Sequence, residues 1–164
     1  MNERLAYAGF LFWIGAGLLD FWLHRRSDLP HTSGLAENRF HLAQLVVIGT
    51  ATLIWWSLRP TWAAWSCAAA LVALHAVLGY LDTRTAYGRR AIVPLEQHVH
   101  SVLDAAPVLF LGWYALQVQR AGHAGGLEWA PRPLPVLLMV MLPAGAVMLV
   151  ALLERRAAWQ AARR

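Results

Sequence analysis

Five apolar runs divide this chain, and four of them carry carboxylates and histidines at helical spacing, a combination that few folds can house. A run of ~20 apolar residues is what a helix needs to cross ~30 Å of hydrocarbon, and in hydrocarbon the backbone must satisfy its own hydrogen bonds. The runs extend from about Leu5 to His24, Glu37 to Leu58, Thr61 to Asp82, Leu95 to Val118 and Leu134 to Leu153. An ionisable group inside such a segment is costly. It therefore faces a bundle interior, where it marks an ion pathway, a metal site or a proton relay.

Composition supports a bilayer setting: 59% of the 164 residues are hydrophobic and 14% are charged, against about 25% charged in a soluble domain. The expectation is one all-α membrane domain over 1–164, with five spans and a four-helix bundle core carrying the site. The uncharged stretches of the first, second and fourth runs are short for a bilayer unless their acids and histidines are counted within the helices. Pro60 marks a tight turn, and Pro94 suits the first turn of a helix. No small-x-small cleavage pattern follows the first run, which reads as a retained helix and not a signal peptide.

All fourteen basic residues are arginine, and the net charge is +5. With five spans, ten arginines, Arg90 among them, fall on one side, against Arg4, Arg59, Arg120 and Arg132 on the other. The positive-inside rule then predicts an inner (cytoplasmic) membrane protein with its N-terminus outside and its C-terminus in the cytoplasm. Trp55, Trp56, Trp62, Trp65 and Trp129 would form an aromatic belt at the outer interface. No basic face with interleaved aromatics suggests nucleic acid. The single Cys67 excludes an internal disulfide framework and multi-cysteine zinc patterns.

The candidate site consists of four stripes: Asp20 with His24, Glu37 with His41, His75 with Asp82, and Glu96 with His100. Residues four apart share a helix face, and residues seven apart are offset by only ~20°. Asp104 extends the fourth stripe, and His98 points away from it. The predicted topology puts every pair near the cytoplasmic face. Both hairpins read as a helix ending in an acid, an arginine-bearing loop, and a helix opening with glutamate and then histidine, which suggests an internal duplication. Singly, Asp20 or Glu37 would read as an interfacial acid paired with Arg25, Arg26 or Arg39. Together the stripes point to a dinuclear metal centre. His31, in the first loop, either caps the site or is simply solvated, and His123 belongs to the outer loop, with Glu128 and Glu154 as boundary charges; the tail 154–164 reads as a basic interfacial helix.

Carboxylates and imidazoles without thiolate suit two divalent ions, iron first and zinc or manganese as alternatives. The eight residues of the stripes would be ligands, with Asp104 orienting a histidine. The set resembles ferritin-like di-iron carboxylate proteins, in which four helices bring acids and histidines to a bundle core. Their motif is Glu-x-x-His, whereas this chain has Glu37-x-x-x-His41 and Glu96-x-x-x-His100. The histidine boxes of membrane desaturases and hydroxylases are absent. Glu37-Asn-Arg-Phe-His41 is also similar to an acidic-x-x-x-His signature in small bacterial membrane proteins of unknown function, which implies no activity.

The expected function is a di-iron oxidoreductase acting on a hydrophobic substrate such as a lipid, fatty acyl chain or quinol. Membrane lipids are its expected surroundings, and a homo-oligomer is open. Alternatives are a zinc-dependent membrane hydrolase, a b-type haem protein and a divalent-metal carrier or sensor. A carrier should show polar residues continuing toward the outer face. The fifth run, apolar between Leu134 and Leu153 and holding Pro135 and Pro143, is expected to flank the bundle.

Overall fold

The computed structural model describes residues 3–122 and 125–163, so the expectation for His123 lies outside the described residues. Five helices follow one another: α1 (Glu3–Arg26), α2 (Gly34–Ser57), α3 (Trp62–Ala86), α4 (Pro94–Ala121) and α5 (Leu134–Ala161). Each is long and apolar enough to cross a membrane. The described residues hold one isolated antiparallel bridge, Leu58 to Trp129, and no strand.

Local chemistry sets the boundaries. Thr61 caps α3 by accepting a hydrogen bond from Ala64 N at 3.2 Å, and Pro94 begins α4, where a missing N–H costs nothing. Gly122, at φ 64°, ends α4 in the left-handed conformation that glycine tolerates. One turn of 3-10 helix, Leu29–His31, lies between α1 and α2 and packs against α5.

The helices form a closed ring in the order α1, α4, α3, α2, α5 and back to α1. Between α1 and α5 the ring is sealed by Phe21, Val147 and Ala151, and between α3 and α4 by Ala64, Ala68, Tyr114 and Val118. The expectation that the fifth helix only flanks a four-helix core is therefore corrected, because α5 fills the gap between α1 and α2. The separate tail helix is corrected as well: α5 runs unbroken through Pro143 to Ala161, burying Ala151, Glu154 and Ala158 along one face.

Polarity is inverted relative to a soluble bundle. Phe12, Leu109 and Leu142 are each more than two-thirds exposed, whereas Asp20, His24, Glu37, His41, His75, Asp82, Glu96 and Glu154 are buried. Polar groups gathered inside and apolar groups outside are the distribution expected of helices long and apolar enough to cross a membrane.

Candidate metal centre

The polar groups gather at the end of the ring where α1 ends, α2 begins and α4 begins. His24 is fully buried at its centre. Its Nε2 faces Asp20 Oδ2 at 3.4 Å, Glu96 Oε1 at 3.5 Å and Glu37 Oε1 at 3.8 Å. His41 Nε2 faces Asp82 Oδ2 at 3.2 Å and Glu37 Oε1 at 3.9 Å. His100 Nε2 lies 3.0 Å from Asp20 Oδ1 and 4.0 Å from Glu96 Oε1. The helical i,i+4 spacing of three acid–histidine pairs has thus become three-dimensional convergence.

These contacts are close, yet none of the three Nε2 atoms has a hydrogen-bond partner, and neither do Asp20 Oδ1 and Asp82 Oδ1. Buried polar atoms are ordinarily satisfied, so such a concentration of orphans needs a cause. Two donors held ~2.1 Å from one cation lie about 3 to 3.5 Å apart, close to the separations seen here. Asp20, His24, Glu96 and His100 can each offer one ligand atom with all four within 4.8 Å of one another, and so can His24, Glu37 and His41. The two groups meet at His24.

Glu154 is the residue that sequence reasoning misplaced. It is buried, not a boundary charge: His41 Nδ1 lies 2.9 Å from its Oε1 and His24 Nδ1 3.1 Å from its Oε2. An N–H at each Nδ1 donating to this carboxylate leaves the lone pair on Nε2, the arrangement by which proteins orient histidine ligands. Asn38 Nδ2 donates to Glu154 Oε1 at 3.0 Å and to Ala151 O at 3.1 Å, tying α2 to α5. The available signal was that Ala151, Glu154 and Ala158 share a helix face, small residues flanking one acid.

Arg90 is the second missed residue. Its side chain is 1% exposed, and Nη2 donates to Glu37 Oε1 and Glu96 Oε1 at 2.5 Å each, while Nε donates to Glu37 Oε2 at 3.1 Å. The Ser33 hydroxyl also bonds Glu37 Oε2. Burial alone would lower the Arg90 pKa, but the two glutamates raise it above its ordinary value and keep it charged. The suggested pairing of Asp20 or Glu37 with Arg25, Arg26 or Arg39 is corrected: Arg26 stacks on the Trp22 ring at 4.0 Å, and Arg25 and Arg39 are exposed.

The remaining candidates divide by depth. His75 is buried farther along α3 and belongs to neither ligand group. It lines a cavity of about 280 Å³ beneath the cluster, together with Asp82, Gln44 and Asp104. Gly79 lets the Asp104 and Gln44 side chains lie close against α3, since a Cβ there would be 2.9 Å from Asp104 Oδ1 and 3.4 Å from Gln44 Oε1. His98 is exposed, as its position on α4 predicted. His31 is exposed as well, with its Nδ1 2.6 Å from Asp28 Oδ1, and it does not cap the site.

Charge sets the chemical demand. The cluster buries the carboxylates of Asp20, Glu37, Asp82, Glu96 and Glu154 with the single guanidinium of Arg90. Four negative charges are left over if the carboxylates are ionised and the histidines neutral. Buried charge of that size requires compensating cations or protons. The donor set of imidazole nitrogens and carboxylate oxygens fits a divalent first-row metal.

No family model, curated protein or solved structure matches this chain.

Proposed function

We propose that this is an integral inner-membrane protein holding a dinuclear metal site, iron first, that serves an oxidoreductase acting on a hydrophobic substrate. The observation that carries the metal reading is the set of three buried, unpartnered Nε2 atoms facing carboxylates, two of them with Nδ1 held by Glu154. The charge balance supports two ions, since two divalent cations match the four uncompensated carboxylate charges. His24, Glu37 and Glu96, which face one another where the two ligand groups meet, would help to hold both ions. Asp20, His24, Glu96 and His100 would form one half, and Glu37, His41 and Asp82 the other. Asp104 and His75 would act from the adjoining cavity, on the substrate side.

Two irons would supply activation of dioxygen or a peroxide. The protein would orient the imidazoles through Glu154, exclude bulk water with the Phe21 ring packed on His24 and His41, and admit substrate through the apolar cavity. The alternatives differ in geometry. His24 and His41 stack with centroids 4.7 Å apart, which leaves no space for a porphyrin between them and favours metal ions over a b-type haem. The same ligands would serve a zinc-dependent hydrolase, with one acid as general base. A positive-inside orientation puts the cluster near the cytoplasmic face.

Elemental analysis with an optical spectrum of the purified protein tests the reading. About two irons per chain without a Soret band supports it, whereas stoichiometric zinc moves the assignment to hydrolysis. Absence of any metal after gentle purification and reloading overturns it.

A further inference from the structure

At the far end of the ring, where α1 begins and α2 ends, lies a second cavity of about 670 Å³, within the range of small-molecule sites. Its walls include Tyr7, Trp13, Trp55, Phe110, Tyr114 and Arg132. It shares Phe10, Trp13, Ile48, Thr52 and Val140 with the cavity beneath the polar cluster, so the two cavities adjoin and lie in a row, a corridor in two sections. Along α1 the corridor runs from Tyr7 to Asp20, about 20 Å at 1.5 Å per residue. That is the length of a long acyl chain. Its walls are almost wholly apolar and aromatic between the two ends.

The far end is polar in a specific way. Arg132 is anchored by its backbone N–H, which donates to Trp56 O at 2.9 Å, and by a stack on the Trp55 ring at 4.3 Å. Its Nη2 donates to Gln117 Oε1 at 3.1 Å, an oxygen that also accepts from Trp55 Nε1 at 3.1 Å. Arg132 Nη1 is buried without a partner, and so is the hydroxyl of Tyr114, a residue only 3% exposed. A fixed guanidinium with a spare donor and an unsatisfied hydroxyl line one cavity, which Glu3 and Arg4 also line, and together the two unpartnered groups suit an anionic oxygen acceptor.

We propose that the corridor binds an anionic single-chain amphiphile, with its acidic head on Arg132 and Tyr114 and its apolar tail directed toward the metal cluster. Binding follows from the corridor alone. Its identification as the substrate rests on the metal-centre reading above.

The test is tryptophan quenching by a brominated long-chain fatty acid, with the protein in nanodiscs of zwitterionic lipid and Trp13, Trp55 and Trp113 beside the site. Quenching should saturate and be competed by palmitate. It should weaken about tenfold or more in Arg132→Gln, less in Tyr114→Phe, which keeps the packed ring, and stay unchanged in His98→Ala, at an exposed residue that lines neither cavity. Stronger competition by lysophosphatidic acid than by palmitate also supports an anionic head on Arg132, and assigns it to a phosphate, whereas competition by phosphatidylglycerol but not by palmitate overturns the single-chain proposal. Quenching that never saturates, or that is equal in the wild type, Arg132→Gln and Tyr114→Phe, overturns the proposal. Saturable quenching in a protein that takes up no metal overturns the metal reading alone, and metal uptake without saturable quenching overturns this inference alone.

Discussion

His24 and His41 lie face to face, with ring centroids 4.7 Å apart and planes 9° from parallel, and each turns its Nδ1 to one oxygen of the Glu154 carboxylate. Residues from α1 and α2 are thereby set by an acid from α5. The stacked rings direct both Nε2 atoms toward the carboxylates of Asp20, Glu37, Glu96 and Asp82.

Glu154→Gln should therefore weaken metal binding about 10- to 100-fold, because an amide cannot accept equally from both imidazoles. Metal titration of the purified variant checks this. An unchanged affinity would reduce Glu154 to a helix-packing role.

His41→Ala and His100→Ala should each lower metal content, whereas His98→Ala should not, since His98 is exposed on another face of α4. His75→Ala should keep the metal, because His75 lies outside both ligand groups. Full occupancy in both of the first two variants would contradict the ligand assignment.

Replacing Arg90 with Gln removes the guanidinium from Glu37 and Glu96 and leaves two buried carboxylates uncompensated. Breaking one side of a buried ion pair costs about 3–5 kcal/mol, so the metal-free variant should melt well below the wild type. Added divalent metal should recover most of the difference. A metal-free melting temperature equal to that of the wild type would show that Arg90 contributes no net charge compensation.

Asn38→Leu should destabilise the protein by about 1–3 kcal/mol, the cost of losing the two buried hydrogen bonds to Glu154 Oε1 and Ala151 O. Thermal unfolding in a constant lipid environment would measure it. A loss within error would mean that packing alone joins α2 to α5.

Metal loading should release protons, and affinity should rise with pH, because imidazole ligands bind only when neutral. Calorimetry in buffers of different ionisation enthalpy reads the proton count. An affinity that stays constant as pH falls through the range in which imidazole protonates would argue that the histidines are not ligands.

Much of this organisation was legible along the chain. Apolar run length marked all five helices, and i,i+4 spacing marked the Asp20, Glu37 and Glu96 stripes with their histidines. Glu154 escaped because it sits where an apolar run ends, next to Arg155 and Arg156, and an acid there looks like an interfacial charge. Arg90 escaped because loop arginines are read as topology signals. His75 shares a face with Asp82, but about two helical turns separate them, and a shared face says nothing of depth: His75 lines the cavity and stands outside both ligand groups.

By itself the sequence determined the helices, their apolar outer faces and the residue types available for a metal, since these depend on local periodicity and on the cost of charge in hydrocarbon. Only the tertiary structure decided that α5 closes the ring, that Glu154 and Arg90 turn inward, and which imidazole nitrogens remain unpartnered. Those outcomes depend on which helices become neighbours, and spacing along one helix carries no information about the groups that another helix brings against it.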